Sequence, residues 1–382
     1  MKLHRIARTF GAGALILVTG VLTTNSFAGA TSAKDRAPSA HALFVETDQA
    51  GGNSVISYTR GTDGTVSYVA TYPAGGAGAA ATSSAADPLA SQGGLALVDN
   101  GAELIATNPG SNTVSVFDVD GPYLRLDQQI PSGGSFPVSI TSHDGLVAVL
   151  NSGGTGSVSE YRMQGGRLDA LGNETRSLGL ANTTPPFFLA GAGQVGYSPN
   201  GQFLIATTRS STSSYEVFSV GFGGNLSSSA TVTVAANPVP FSFTFDAQGR
   251  IVATEALNSF VSTYSINSNG SLTLVGTISD GQAALCWISS AQGYFFGSNA
   301  SSGNVSSCGE TAGGVPTLLN AKAAITHPGT TDSAVSPDGA FLYVESGGSG
   351  ALDVFAINAS GTLAPIETLW NLPLPYEGIA VS

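Results

Sequence analysis

One sequence element recurs six times along the chain, and its spacing constrains the fold more than any other feature. Each copy consists of an apolar strand, a tight turn ending in glycine, and a second strand. The copies read LALVDNGAELIAT, VSITSHDGLVAVL, VGYSPNGQFLIAT, FTFDAQGRIVAT, CWISSAQGYFFGS and AVSPDGAFLYVES, with turn glycines at Gly101, Gly145, Gly201, Gly249, Gly293 and Gly339. Glycine supplies the positive φ that such hairpin turns need. The intervals of 44, 56, 48, 44 and 46 residues between these glycines indicate a structural repeat.

Two further strands follow each hairpin. The third strands read NTVSVFDV, GSVSEYRM, SYEVFSV, SFVSTYSI, GNVSSCGE and GALDVFAI, and a second turn then leads to a fourth strand. Val114 and Val116 alternate with Thr113 and Ser115, which is the two-residue period of a β-strand. Four short antiparallel strands per repeat are typical of a propeller blade.

The two ends of the chain complete one more blade. Residues 41–72 contain three strands without a first one, and residues 377–382 contain a first strand without a successor. Together they predict an all-β, seven-bladed propeller over 41–382, whose first blade is closed by N- and C-terminal strands. Such closure removes the edge strands that would otherwise favour aggregation.

The N-terminus has the pattern of a secretory signal. Basic residues precede an apolar stretch at 10–22, and the small residues of 28–30 offer a cleavage position. We therefore predict a signal peptide over 1–30, a polar linker over 31–40, and a secreted or periplasmic protein. A retained membrane anchor is the alternative. After cleavage we expect no membrane segment.

Charge is scarce and acidic, which excludes several partners. Only 10% of the residues are charged, and the formal net charge is −12. Nucleic-acid binding requires clustered cations, and the sequence has no such cluster. We expect a monomer that binds a small molecule, with a protein partner as the alternative.

The two cysteines are expected to be unpaired thiols. Cys286 lies on the first strand of a blade and Cys308 on the third. Strands two ladder spacings apart are separated by about 9–10 Å, which exceeds the Cα separation of an ordinary disulfide.

Two insertions interrupt the repeat. Residues 72–87 are rich in glycine, alanine and serine, which predicts a mobile loop. Residues 183–192 (TTPPFFLAGA) are apolar. Phe187 and Phe188 there are expected to fill space beneath a loop, with a lid as the alternative.

Polar residues recur where the second strands end, at the predicted mouth of the central channel. They are Glu46, Asn108, Asn151, Thr208 with Arg209, Glu255, Asn299 and Glu345, and the links between blades add Asp87, Gln92, Gln282, His327, Asp332 and Glu377. Concave mouths of this kind bind ligands. The alternative is that these side chains cap strands and bridge blades. We select Glu46, Asn108, Asn151, Asn299, Gln92 and Gln282 as candidate ligand-binding residues.

Five segments together resemble those of a known family: 87–119, 131–140, 193–207, 240–256 and 284–307. They are similar to the seven-bladed lactonase-type propellers, which include the 6-phosphogluconolactonases and the carboxymuconate cyclases. The resemblance implies metal-free opening or closing of a lactone by a Glu/Arg/His set at the channel mouth. The family glutamate corresponds to Glu255, and the fourth-blade motif that often reads Thr-Glu-Lys is here Thr207-Thr208-Arg209. The histidine of the phosphogluconolactonase-like branch is absent, and Ala192-Gly193-Gln194 stands at its position. This argues against a sugar-phosphate substrate.

Three functional hypotheses follow. The first is an exported lactonase-like hydrolase or cycloisomerase without a cofactor, in which Glu255 acts as general base or orients water and Arg209 stabilises the oxyanion. Glu345 or His327 would be its second proton carrier. The second is a non-catalytic propeller that binds a small molecule or protein. The third is a Ca²⁺-dependent hydrolase, because oxygen ligands suit this ion; its candidate ligands are Glu46, Asn151, Glu255 and Asn299.

Overall fold

The computed structural model describes residues 41–209 and 213–382, except for the side chains of 173 and 174. The predicted signal peptide and linker lie outside the described residues. Within them, 28 strands form seven four-stranded antiparallel sheets. The predicted seven-bladed propeller is therefore confirmed.

The strand bounds follow the repeat. Blade 1 contains β1 (Ala42–Glu46), β2 (Ser54–Arg60), β3 (Val66–Pro73) and the last strand, β28 (Ile379–Val381). Blades 2 and 3 contain β4 (Leu95–Val98), β5 (Glu103–Asn108), β6 (Thr113–Asp120), β7 (Tyr123–Pro131), β8 (Pro137–His143), β9 (Leu146–Asn151), β10 (Ser157–Gln164) and β11 (Arg167–Ser177). Blades 4 and 5 contain β12 (Ala192–Tyr197), β13 (Phe203–Thr208), β14 (Ser214–Ser219), β15 (Thr231–Val234), β16 (Pro240–Phe245), β17 (Ile251–Glu255), β18 (Phe260–Ile266) and β19 (Leu272–Ser279). Blades 6 and 7 contain β20 (Leu285–Ala291), β21 (Tyr294–Asn299), β22 (Asn304–Glu310), β23 (Pro316–Ile325), β24 (Thr330–Val335), β25 (Phe341–Ser346), β26 (Ala351–Ile357) and β27 (Leu363–Trp370).

Short 3₁₀ turns are the only helical segments in the part of the chain that the structure describes. They span Asp99–Gly101, Phe188–Ala190, Phe222–Gly224 and Ala256–Asn258. None of the described segments forms a helix that is long and apolar enough to cross a membrane.

The inner strands close a ring around the axis. Each first strand contacts the first strand of the next blade, in the order β28, β4, β8, β12, β16, β20, β24 and back to β28. The C-terminal strand pairs with β1 through Leu43 opposite Val381 and Val45 opposite Ile379, as the sequence predicts. All six turn glycines of the repeat have positive φ, between +68° and +83°.

The apolar core lies between the blades. Second strands such as β5 and β25 are buried along their whole length, whereas the fourth strand β15 alternates between half-buried and exposed residues. Burial therefore decreases from the second strands to the fourth strand, and the second strands carry their last residues to the channel mouth as part of the packed core. Cys286 and Cys308 lie on β20 and β22 and are both free thiols, which confirms the predicted unpaired state.

Candidate functional site at the channel mouth

Strand register divides the predicted polar ring into two sets that face different blades. Glu345 lies opposite Leu352 in its hairpin. In blade 5 the corresponding position, opposite Val261, is occupied by Thr254, and Glu255 follows it. Because successive side chains of a strand point to opposite faces, Glu345 and Glu255 project from opposite faces of their sheets. Glu46, opposite Val55, shares the orientation of Glu345.

The Glu255 carboxylate is buried in a saturated hydrogen-bond network between blades 4 and 5. Its Oε1 accepts hydrogen bonds from the hydroxyls of Tyr215 (3.2 Å) and Tyr264. Its Oε2 accepts from the backbone N–H of Asn237 (3.0 Å), from Asn237 Nδ2 (2.8 Å) and from Ser262 Oγ (2.6 Å). Burial, and then the Glu255 charge, raises the pKa of both tyrosines. This arrangement stabilises the packing of two blades.

The predicted amides also bond to their neighbours in the fold. The bonds run from Asn108 Nδ2 to Ser115 Oγ (2.8 Å), from Asn151 Nδ2 to the Ser132 carbonyl (3.0 Å), from Asn299 Nδ2 to Asn304 Oδ1 (3.0 Å) and from Asn304 Nδ2 to Gln282 Oε1 (3.0 Å). The amides of Asn108, Asn151 and Asn299 are completely buried. The four predicted residues Asn108, Asn151, Asn299 and Gln282 therefore form hydrogen bonds within the fold, in or beside blades 2, 3 and 6.

His327 lies in the link between blades 6 and 7 and belongs to a third network. Its Nδ1 is 2.8 Å from Asp353 Oδ1, and its ring meets the edge of Trp370 at 4.2 Å between centroids. Asp353 also accepts hydrogen bonds from Ser346 (3.0 Å) and Thr368 (2.8 Å). Glu255 and His327 thus lie in separate networks, in different blades.

A chain segment closes the mouth across the channel axis. This segment, Asp87–Gly94, is called the crossing segment below. Gln92 donates through Nε2 to the Ile288 carbonyl (2.9 Å) and accepts through Oε1 from the Ile288 N–H (3.0 Å). On other sides of the axis, Ser139 Oγ donates to the Gln92 carbonyl (2.7 Å), and the Gln92 N–H donates to the Gly193 carbonyl (3.0 Å). The segment is therefore fixed to blades 3, 4 and 6 at once.

The approach to the crossing segment is packed, whereas the sequence predicts a mobile loop there. Thr82 exchanges backbone hydrogen bonds with the 183–192 insertion, to the Pro186 carbonyl (2.8 Å) and from the Phe188 N–H (3.2 Å). Ala81 and Leu89 are buried in one apolar cluster, and Phe188 packs against it. Small side chains permit this close approach, so low complexity here reflects packing. Phe188 fills space beneath the loop, as expected, while Phe187 is 41% exposed.

Arg209 binds the crossing segment from blade 4. Its side chain is buried, its Nη1 donates to the Ala90 carbonyl, and its guanidinium carbon lies 4.7 Å from the centroid of the Phe241 ring. Burial lowers the pKa of Arg209 to about 10, although the nearby charges of Asp87 and Cys286 oppose this shift. Asp87 accepts three backbone hydrogen bonds, from Leu89, Ala90 and Ser91 (2.7–2.9 Å).

Six buried carboxyl groups converge beside the crossing segment. This mouth carboxyl cluster comprises Glu46, Asp48, Asp87, Asp332, Glu345 and Glu377, each no more than 4% exposed. Burial raises the pKa of every member, and the neighbouring acids of the cluster raise most of them further. The pKa of Asp87 and that of Asp332 reach about 7.

Several carboxyl oxygens of the cluster lack a hydrogen-bond donor. Burial, and then the charges of Asp87 and Asp332, raise the pKa of Glu377. As carboxylates, both oxygens of Glu377 would have no donor, and neither would single oxygens of Glu46 and Glu345. The geometry therefore favours a cluster that is largely protonated. Asp48 escapes prediction because it follows β1 in a turn that no periodic pattern marks.

The proposed calcium ligands lie apart in the structure. Asn151, Glu255 and Asn299 belong to the networks above, and only Glu46 joins the mouth carboxyl cluster. Among residues 41–209 and 213–382, no group of three or more Asp, Glu, His or Cys side chains is arranged to hold a metal ion.

Below Gln92 the channel continues as a cavity of about 350 Å³. The inner strands β8, β12, β16, β20 and β24 line it, with hydroxyls from Thr141, Thr244 and Ser290. No charged residue contributes to this lining.

Comparison with known proteins confirms the fold. The sequence matches no protein family profile and no curated protein. A periplasmic gluconolactonase of Pseudomonas aeruginosa is 18% identical with a TM-score of 0.70, covering 90% of this chain and 99% of its own. A candidate 6-phosphogluconolactonase of Bacteroides fragilis is 16% identical with a TM-score of 0.70, covering 91% and 99%. A Lactobacillus plantarum protein is 17% identical with a TM-score of 0.71, covering 90% and 99%. The chain therefore has the fold of lactonase-type propellers, as the sequence resemblance implies.

Proposed function

We propose that the protein is an exported lactonase-like hydrolase that acts on uncharged lactones at the channel mouth. One observation carries this proposal: a buried guanidinium and carboxyl groups with pKa values near neutrality share the mouth. Arg209 lies near Asp87, Asp87 near Asp332, and Asp332 near Glu377. General acid–base catalysis is most efficient when the pKa of the group lies near the working pH.

The residues of the mouth suggest a division of roles. The Asp332–Glu377 pair would take a proton from water as its oxygen attacks the lactone carbonyl. Arg209 would stabilise the negative charge that forms on the carbonyl oxygen. When the acyl–oxygen bond breaks, the ring oxygen would receive a proton from the pair, giving a hydroxy acid. Glu345, which interacts with Asp332, remains the second proton carrier of the sequence hypothesis.

The charge of the site supports an uncharged substrate. Six acids surround one guanidinium, and the whole chain carries −12. A phosphorylated lactone would be repelled at the mouth, in agreement with the missing family histidine. The periplasmic gluconolactonase with the same fold supports export, together with the basic and apolar pattern of residues 1–30.

Hydrolysis of a panel of neutral and phosphorylated lactones tests this proposal. We expect turnover of neutral members only, with loss of at least a hundredfold in kcat for Asp332→Asn and for Arg209→Gln. Glu255→Gln is the matched control. Its kcat per folded molecule should stay within a few fold of the wild type, because the structure assigns Glu255 to a blade contact. If turnover survives Asp332→Asn but is lost with Glu255→Gln, the reaction takes place at Glu255, the site predicted from sequence, and the proposal is wrong.

A non-catalytic binding propeller remains the second candidate. The observation that favours it is the closed mouth, because the crossing segment covers the cluster and Gln92 is held by both its amide atoms. No turnover across the panel, with a ligand or protein that protects the mouth from hydrogen exchange, would support this function.

A further inference from the structure

The crossing segment lies directly against the mouth carboxyl cluster. The Gly93 N–H donates to Asp332 Oδ2 (3.2 Å), and Asp87 itself begins the segment. On another side of the cluster, just before β28, the Gly378 N–H donates to Glu345 Oε2 (3.3 Å). A Cβ added at Gly94 would lie 3.0 Å from Glu377 Oε2 and 3.6 Å from Glu46 Oε2. The segment therefore packs directly against the carboxyl oxygens.

The charges around the segment do not balance unless protons are present. Five carboxyl groups face it from β1 and the turn after β1, from β24 and β25, and from the residues before β28, and Asp87 of the segment itself is the sixth. The other titratable groups next to the cluster are Arg209, Cys286, Tyr58 and Tyr376. Only the guanidinium among them is positive at neutral pH. Full ionisation would thus place six negative charges against one positive charge in a space without solvent, which buried groups do not tolerate.

We propose that the crossing segment is a proton-latched cover of the channel mouth. It is closed while the mouth carboxyl cluster holds its protons and opens when the cluster ionises. This inference rests on the proposed function only in that the cover would control access of a lactone. The opening itself follows from the geometry and requires no reaction.

The direction of the effect follows from linkage. The closed state binds protons that an open, solvated cluster would release, so a rise in pH favours opening. Each proton released raises the equilibrium constant of opening by up to tenfold per pH unit. With at least Asp87 and Asp332 contributing, we expect opening to increase by at least tenfold per unit between about pH 5 and pH 7.

Trp287 provides a built-in reporter of the cover. Its Nε1 donates to the Ser91 carbonyl of the crossing segment (2.5 Å), and it is 3% exposed. The chain contains two tryptophans, so Trp370→Phe leaves Trp287 alone. We expect the emission of Trp287 to shift to longer wavelength from pH 5 to pH 9, while the far-ultraviolet circular dichroism stays constant. The protection factors of residues 88–94, which correct hydrogen exchange for its intrinsic pH dependence, should fall over the same range.

Two isosteric variants test the role of the cluster. Glu377→Gln and Asp332→Asn mimic the protonated groups, so each should lower the opening constant at pH 8 at least tenfold. Asp144→Asn is the matched control, because its side chain is 91% exposed and it should follow the wild type. If one cluster variant fails to fold, the other variant and the exchange of the wild type decide the result.

Three results would overturn the inference. The first is an emission maximum and protection factors that do not change from pH 5 to pH 9. The second is cluster variants that titrate like Asp144→Asn, and the third is loss of circular dichroism together with the emission shift. Failure of the proposed function is distinguishable, because no lactone is present in these measurements. A cover that opens with pH in a protein without lactonase activity retains this inference and refutes the reaction.

Discussion

Replacement by glutamine should destabilise the protein at Glu255 but not at Glu345, because the two carboxyl groups have different surroundings. The Glu255 carboxylate accepts five hydrogen bonds. Glutamine replaces one acceptor oxygen with an amide donor, so at least two of the five bonds lose their acceptor. At about 1.5 kcal/mol for each bond to a charged group, Glu255→Gln should lower the free energy of unfolding by about 3 kcal/mol.

Glu345 has the opposite environment. It is completely buried, accepts one backbone hydrogen bond, and lies near the acids Asp332, Asp48 and Asp87. Glu345→Gln removes an ionisable group whose charged form is disfavoured, and retains an oxygen for the Gly378 N–H. We therefore expect unchanged or increased stability at pH 7.5.

Denaturant unfolding at pH 7.5 measures both variants on one scale. Both should keep the m-value of the wild type, so that the midpoint alone reports stability. A Glu255→Gln midpoint equal to that of the wild type, or a Glu345→Gln midpoint far below it, would refute the assignment of one carboxylate to a saturated network and the other to a protonated cluster.

Three further predictions concern the cluster, the cover and the thiols. The pKa of Asp332 rises from 3.8 to about 7 on folding. The stability of Asp332→Asn relative to the wild type should therefore increase from pH 4 to pH 7, by about 4 kcal/mol at most. The same difference in the free energy of unfolding at pH 4 and at pH 8 would contradict this. A Cβ at Gly347 would overlap the Ala86 carbonyl oxygen, whereas one at Gly51 has no neighbour within 4 Å. Hydrogen exchange of residues 84–94 should therefore increase in Gly347→Ala and stay unchanged in Gly51→Ala. Burial raises the pKa of Cys286 and of Cys308 to about 12, so a thiol reagent at pH 8 should label them only after unfolding. Rapid labelling of the native protein would be inconsistent with their buried positions.

The repeat carried most of the fold prediction. Turn glycines and alternating valines define local geometry, so the blade count, the closure by β28 and the separation of the two cysteines were all readable from sequence. The polar residues at the second-strand ends were also placed at the correct end of the blades.

The directions of those polar side chains were not readable. Glu345 lies one residue further from the turn of its hairpin than Glu255 does. The two carboxyl groups therefore point to opposite faces of their sheets, and only the strand pairing shows this difference. The crossing segment was missed for a different reason. Its approach consists of small residues without a period, and the contacts of Gln92 with Ile288 and Gly193 join blades that are distant in sequence.

A reaction at the channel mouth can be tested through the pH dependence of lactone hydrolysis by the wild type and by Asp332→Asn. We expect a wild-type rate that rises through about pH 7, where Asp332 ionises, and an Asp332→Asn rate reduced at least a hundredfold. An Asp332→Asn enzyme with the wild-type rate and the same pH profile would contradict a reaction at the channel mouth.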